Sequence, residues 1–206
     1  MKKIITIILY LASLYSFAQD PKTAFDGKNW EAPYKLSFPA GWDVERFLIP
    51  IEFAPQISYK GVEDIRFTPG WGNVKSNEYW TYAFLWYLNG TPKINKKIIE
   101  NNLMAYYTGL VGRNIKPRKI PADKIIPTKT FVKQVTTYKG DRKTFNGTIE
   151  MLDYMEQKPI TLNCIIHLMP YKEKNKTFIF YELSPQPFSH SILLSLNELW
   201  AGFGYK

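Results

Sequence analysis

Residues 131–183 read FVKQVTTYKGDRKTFNGTIEMLDYMEQKPITLNCIIHLMPYKEKNKTFIFYEL, and they carry the strongest structural signal in the chain. Four segments within them are rich in the β-branched and aromatic residues that strands favour: residues 131–138, 145–155, 160–169 and 178–183. The connections between the segments are short and contain turn residues such as Gly140 and Asp141. Because short connections join antiparallel neighbours, this stretch predicts a four-stranded antiparallel meander.

Shorter strands are predicted on the N-terminal side of the meander. They cover residues 34–38, 48–53, 62–67 and 79–88. Pro50 limits the second of them to an edge or irregular strand, because proline donates no hydrogen bond to a ladder. The fourth, YWTYAFLWYL, is the most apolar segment after residue 19. Its aromatic content favours a strand, although a helix beginning near Asn77 also fits a run this apolar.

Two amphipathic helices are predicted, one before the meander and one after it. The first has Thr91 as its N-cap and Pro92 as its first residue, and it ends at Gly109 or Gly112. The second is capped by Ser189 and carries a stripe of apolar residues at helical spacing. The fold class that follows is α+β. Short N-terminal strands and the meander form an antiparallel sheet, and the two helices pack on one or both of its faces.

The first nineteen residues, MKKIITIILYLASLYSFAQ, have the pattern of a secretory signal peptide. Lys2 and Lys3 precede a short apolar run, and Ser16 and Ala18 are small residues at the positions that signal peptidase requires. The run is too short for a comfortable membrane span, and no second apolar stretch of about 18 residues follows it. We therefore expect residues 1–19 to be removed, leaving residues 20–206 as a single periplasmic or secreted domain without a membrane anchor.

Composition restricts the partners and cofactors of such a protein. The net charge of +9 fits an anionic glycan or lipid head group, or simply a solvated surface. The basic run from Arg113 to Lys124 lacks the interleaved aromatic residues of nucleic-acid grooves, so no nucleic-acid partner is expected. Cys164 is the only cysteine, which excludes an internal disulfide and a lipoprotein anchor beside the signal. No motif typical of zinc, calcium or nucleotide sites is present, so we expect no metal and no other cofactor.

Three carboxylates are candidates for catalysis. Glu63 and Asp64 lie in the predicted strand GVEDIR, and Glu78 follows in the next segment. Two of them about 5–10 Å apart across a bound sugar could hydrolyse a glycan. Alternation along a strand places Asp64 and Arg66 on one face and Glu63 on the other. A structural ion pair between Asp64 and Arg66 is therefore the simpler interpretation.

His167 and His190 are the only histidines in the chain. His167 is the fourth catalytic candidate. It lies on a predicted strand, where it could pair with a carboxylate of a neighbouring strand such as Glu150 or Glu182, and a lone histidine on a strand is more often a structural or surface residue than a catalytic one. His190 stands at the expected start of the second helix, where capping or solvent exposure explains it.

Trp42, Arg66 and Trp71 are the predicted ligand-binding residues. The two tryptophans lie in the turns PAGW and PGWG, where a large ring is more exposed than in a strand. An exposed indole beside polar donors can stack on a sugar ring or sit at a membrane interface. The alternate aromatic residues of segment 80–86 are instead interpreted as core that packs against the two helices.

The segments KLSFPAGWDVERFLIP, YKGVEDIRFTPGW and EYWTYAFLWYL resemble uncharacterised exported proteins of Bacteroidetes-type bacteria. That group implies no activity and no site residue for this chain. The order of elements, with an early LSFPAGW strand and turn, is similar to the PsbP/Mog1-type fold, which implies a topology and not a function.

Together these patterns favour a non-enzymatic, exported binding or accessory protein. It would use a concave sheet face or a helix–sheet cleft to hold a glycan, a lipid or an envelope protein. One alternative is a small envelope glycan hydrolase with a carboxylate pair, which two carboxylates converging in a cleft would favour. The other is an envelope protein-interaction module, which a broad exposed aromatic patch without a cleft would favour.

Overall fold

The computed structural model describes residues 25–205, so the predicted signal peptide lies outside the described residues. Nine strands occur in this range: β1 (Tyr34–Lys35), β2 (Asp43–Ile49), β3 (Gly61–Phe67), β4 (Tyr82–Asn89), β5 (Lys129–Val135), β6 (Lys143–Asp153), β7 (Lys158–Tyr171), β8 (Lys176–Ser184) and β9 (Gly204–Tyr205). Two α-helices accompany them: α1 (Lys96–Ile115) and α2 (Ser191–Ala201). None of the helices in this range is long and apolar enough to cross a membrane.

Seven of the described strands form one antiparallel sheet in the order β2-β3-β4-β8-β7-β6-β5. The predicted meander is confirmed, because β5, β6, β7 and β8 pair with one another in chain order. The N-terminal series β2-β3-β4 joins it through antiparallel pairing of β4 with β8. The neighbouring strands β4 and β8 are the most completely buried ones, as expected for strands covered on both faces. The predicted α+β class is therefore confirmed for the described residues.

The two helices cover opposite faces of the sheet. On one face Tyr82, Phe84 and Trp86 of β4 belong to the larger core cluster, with the buried side of α1. On the other face Leu85 and Tyr87 pack in a second cluster with α2 and β1. The strand predicted for residues 79–88 is confirmed in its main part, and the alternative helix near Asn77 is wrong. The aromatic face packs against α1 alone rather than against both helices.

The first helix begins later and ends later than predicted. Its N-cap is Asn95, whose Oδ1 accepts a hydrogen bond of 3.0 Å from the backbone N–H of Ile98. Asparagine is at least as favourable as threonine at the N-cap position, and the helix begins after Asn95 rather than after Thr91. The helix continues through Gly109 and Gly112 to Ile115. Neither glycine ends it, because a glycine inside a helix costs only about 1 kcal/mol and tertiary packing exceeds that cost.

Three further boundaries differ from the sequence prediction. The strand predicted at 48–53 lies at Asp43–Ile49 and pairs with β3 along its whole length, so Pro50 follows the strand. The strand predicted at 34–38 is limited to Tyr34–Lys35, because its partner is the two-residue strand Gly204–Tyr205. The cap of α2 is His190 rather than Ser189, since its side chain accepts a bond from the backbone N–H of Ile192.

Candidate functional site

Glu63 and Asp64 lie on opposite faces of the sheet. Both are fully buried in β3, where neighbouring side chains point in opposite directions. Glu63 contacts Trp86 and Tyr106 on the α1 face, and Asp64 contacts Tyr34 on the α2 face. The sheet therefore separates these two carboxylates, and they do not share a cleft.

Glu63 is a buried acid held by two hydrogen bonds. Its Oε1 accepts from the Tyr106 hydroxyl at 2.7 Å, and its Oε2 accepts from the Trp86 indole N–H at 2.9 Å. Burial raises the pKa of Glu63 to about 8, against the lowering effect of the two bonds, and the Glu45 carboxylate adds to the rise. At neutral pH this carboxyl group is mostly protonated, so it places little charge beneath Tyr106.

Asp64 and Arg66 form the structural ion pair that the sequence indicated. Asp64 accepts from both terminal nitrogens of Arg66, from Arg46 Nε at 2.9 Å and from the Tyr34 hydroxyl at 3.0 Å. The remaining Arg66 nitrogen, Nε, donates to the carbonyl oxygen of Ser37 at 3.2 Å. Arg66 does line an open groove of about 760 Å³, but every nitrogen of its guanidinium is already bonded within the protein.

His167 joins two buried carboxylates. Its Nδ1 lies 2.8 Å from Asp141 Oδ2, and its Nε2 lies 3.0 Å from Glu182 Oε1. Of the two partners predicted on neighbouring strands, Glu182 is therefore present, whereas Glu150 is exposed near Lys129. Burial alone would lower the pKa of His167, but the bonds to the carboxylates outweigh burial and raise it.

The surroundings of His167 tie α2 to the sheet. Asn197 donates to Glu182 at 3.0 Å, and the Trp200 indole donates to Asp141 at 2.8 Å. The side chains of His167 and of both its carboxylate partners have no solvent exposure. A substrate does not reach them in this structure. The cluster is a buried polar network that positions α2 on the sheet.

Glu78 braces the turn that presents Trp71. Its Oε2 accepts a hydrogen bond of 2.6 Å from the backbone N–H of Gly70. A Cβ at position 70 would lie 2.2 Å from Ser76 Oγ and 2.8 Å from Glu78 Oε2, so a larger residue would have to displace these side chains. The backbone N–H of Trp80 donates to the carbonyl oxygen of Trp71 at 2.8 Å. The loop between β3 and β4 thus fixes two tryptophans side by side, with ring centroids 6.5 Å apart.

Trp80 adopts a backbone conformation that bulky residues rarely take. Its φ angle is 54°, in the left-handed region, and its side chain is almost fully buried. The indole Nε1 forms no hydrogen bond with the residues that the structure describes. The adjacent Tyr79 hydroxyl is bonded to Asp153 instead, at 2.6 Å. Such strain persists where surrounding structure imposes it, and it is commonest at functional sites.

An aromatic pocket of about 150 Å³ lies between α1 and the sheet. Eight rings line it: Phe47, Phe53, Phe67, Trp71, Trp80, Tyr82, Tyr106 and Tyr154. Several of these rings touch edge to face, as Phe53 and Tyr106 do at 5.1 Å and Trp80 and Tyr154 do at 5.1 Å. The hydroxyl groups of Tyr82 and Tyr106 are already bonded to Tyr107 and Glu63, so the deep part of the pocket is largely apolar.

The mouth of the aromatic pocket carries charge of both signs. Glu45 of β2 and Arg113 of α1 line the pocket and also line a second cavity of about 300 Å³, which continues outward past Leu48 and Pro50. We call this second cavity the outer groove. The guanidinium of Arg113 lies 5.2 Å from the centre of the Phe53 ring, in a cation–π contact.

The predicted ligand-binding residues are thus distributed over three places. Trp71 lines the aromatic pocket, Arg66 lies across the sheet, and Trp42 is half-buried against the cluster around α2. Sequence reasoning missed Phe53 and Tyr154 as pocket residues, because it placed them at the ends of the predicted strands 48–53 and 145–155, whereas they lie in turns after β2 and β6. Tyr106 lies on the buried side of α1, where nothing in the helical pattern distinguishes a pocket wall from core.

No group of three or more His, Cys, Asp or Glu side chains within residues 25–205 is arranged to hold a metal ion. Comparisons of the chain with protein-family models, curated proteins and solved structures gave no match. The resemblances to exported Bacteroidetes-type proteins and to the PsbP/Mog1-type fold therefore stay predictions.

Proposed function

We propose that this chain is an exported, non-enzymatic binding protein that holds a small ligand in the aromatic pocket. The observation that carries the proposal is a concave site walled by eight aromatic rings, at the junction of a helix and a sheet. Sites of this kind, mostly apolar with a few polar groups at the rim, are typical of small-molecule binding. Export rests on the pattern of residues 1–19.

The size of the pocket limits what it holds. A cavity near 150 Å³ accommodates one benzene-sized ring or a short branched chain. Burial of one ring, about 150 Å² of apolar surface, contributes roughly 4 kcal/mol before the cost of association. That corresponds to a Kd of about 1 mM at best. Tighter binding therefore requires polar contacts at the mouth.

The carboxylates do not support the hydrolase alternative. Glu63 and Asp64 are on opposite faces of the sheet, and Glu78 is engaged with the backbone of Gly70. Glycoside hydrolysis needs two carboxyl groups that face one sugar. A binding role uses the rings and needs no such pair.

The test is binding of p-cresol, a neutral ring, followed by saturation-transfer NMR at millimolar concentration. We expect magnetisation transfer with the natural sequence and its loss in Leu110→Trp, because Leu110 lines the pocket and a larger side chain fills it. Leu194→Trp is the matched control, since Leu194 is exposed on α2 across the sheet. Equal transfer to the natural protein and to Leu110→Trp would refute the proposal.

A further inference from the structure

Glu45 and Arg113 occupy the point where the aromatic pocket meets the outer groove. Both residues line both cavities, together with Phe47 and Phe53. Glu45 projects from the edge strand β2, and Arg113 lies in the last turn of α1. A ligand with its apolar part in the pocket therefore presents its remaining groups to one acidic and one basic side chain.

Neither charge has an opposite charge beside it. No ion pair within 4.0 Å joins Glu45 or Arg113 to each other or to another residue in the described part of the chain. Arg113 instead makes a cation–π contact with the Phe53 ring, and its N–H groups have no carboxylate within 4.0 Å among the described residues. The Glu45 charge acts on the pocket, since it contributes, after burial, to the raised pKa of Glu63.

The two charges select among ligand types. An anion without an ammonium group would be repelled by the Glu45 carboxylate. A cation without a carboxylate would be repelled by the Arg113 guanidinium. A sugar would place several hydroxyl groups in a pocket where the Tyr82 and Tyr106 hydroxyls are already bonded and the unpaired Trp80 indole N–H can donate to only one of them, and unpaired buried hydroxyls are costly. A zwitterion with one apolar, ring-sized side chain satisfies both charges and fills the pocket.

We propose that the aromatic pocket and its mouth bind a free α-amino acid with an apolar side chain, of the phenylalanine or leucine type. The side chain enters the pocket, the ammonium group donates to Glu45, and Arg113 donates to the carboxylate. The outer groove, about 300 Å³, leaves room for the main-chain atoms and their water. This assignment rests on the proposed function and specifies its ligand.

The test is isothermal titration calorimetry with three probes that share the benzyl side chain and differ in which main-chain charge is blocked. L-Phenylalanine carries both charges, N-acetyl-L-phenylalanine lacks the ammonium group, and L-phenylalaninamide lacks the carboxylate. The proteins are the natural sequence, Glu45→Gln, Arg113→Gln and Arg113→Lys. Glu150→Gln and Lys116→Gln are the matched controls, because they make the same charge changes at exposed positions outside the pocket.

We expect L-phenylalanine to bind at least about tenfold more tightly than either blocked probe, as charge-assisted hydrogen bonds imply. Arg113→Gln weakens the binding of L-phenylalanine about tenfold and leaves the binding of L-phenylalaninamide unchanged. Glu45→Gln likewise weakens the binding of L-phenylalanine and leaves the binding of N-acetyl-L-phenylalanine unchanged. Arg113→Lys retains most of the affinity for L-phenylalanine. Equal affinities for all three probes would overturn the inference. So would tightest binding of a blocked probe, since a blocked amino acid resembles the terminal residue of a peptide. If p-cresol still binds the natural protein and not Leu110→Trp, the proposed function stands even though the amino-acid ligand is rejected.

Discussion

Glu63 offers the sharpest test of the core, because its burial makes the stability of the protein depend on pH. The pKa of Glu63 is raised from 4.5 to about 8 in the folded protein. A raised folded-state pKa contributes stability that is fully present below the unfolded value and is lost as the pH rises through the folded value. The free energy of unfolding therefore falls between about pH 4.5 and pH 8 on account of this residue.

The magnitude follows from the size of the shift. Each pKa unit corresponds to about 1.4 kcal/mol, so Glu63 accounts for a loss of roughly 4–5 kcal/mol by pH 9. Glu63→Gln removes the charge at every pH and keeps an acceptor for the Trp86 indole and a polar partner for Tyr106. We expect the variant to gain stability relative to the natural protein as the pH rises.

The assay is urea unfolding, followed by tryptophan fluorescence, at unit intervals from pH 5 to pH 9. The quantity to compare is the difference in free energy of unfolding between Glu63→Gln and the natural protein. This difference cancels the contributions of His167 and Glu182, whose pKa values are also raised. Glu150→Gln, an exposed site, is the control and should show no trend. Parallel curves for Glu63→Gln and the natural protein would refute the reasoning, because Glu63 would then titrate alike in both states.

Two further pairs of substitutions test the packing of the helices. Gly109→Ala should lower the free energy of unfolding by roughly 1–3 kcal/mol despite alanine's better helix propensity, because its Cβ would lie 1.8 Å from the carbonyl oxygen of Phe53. Gly112→Ala, with no atom within 4 Å, should instead stabilise by up to about 1 kcal/mol, and equal effects of the two would contradict this account. His167→Leu should cost roughly 3–5 kcal/mol at pH 6 in urea unfolding, because it leaves two buried carboxylates without their partner. His190→Ala removes only a helix cap and should cost about 1 kcal/mol, so a similar value for His167→Leu would speak against the buried network.

Several features of the candidate site were predictable from local pattern. Alternation along β3 correctly separated Glu63 from Asp64, because strand geometry alone decides which face a side chain takes. The Pro/Gly turn correctly indicated that Trp71 is presented by a loop. The same reasoning did not distinguish Trp42, which lies in a similar turn but packs against the cluster around α2. A turn in the sequence predicts that a tryptophan lies in a loop, but the packing around that loop decides whether the ring lines a cavity.

Element boundaries were less predictable where two residues compete for one role. Thr91 and Asn95 are both good N-caps, and the helix begins after Asn95, whose Oδ1 accepts from the backbone N–H of Ile98. The strand at 34–38 shortened because its partner is a two-residue strand at the far end of the described chain. The helix start depended on two competing local caps, whereas the length of the strand at 34–38 was set by pairing with a distant segment.

Local patterns in the sequence were enough to predict the α+β class, the antiparallel meander and the two amphipathic helices. These features depend on residue periodicity and on short connections, which are local properties of the chain. The pairing of β4 with β8, the placement of one helix on each face and the aromatic pocket arise instead from contacts between distant segments in the folded protein. The pocket joins Phe53 to Tyr106 and Trp80 to Tyr154, and no local pattern encodes contacts between segments so far apart in the chain.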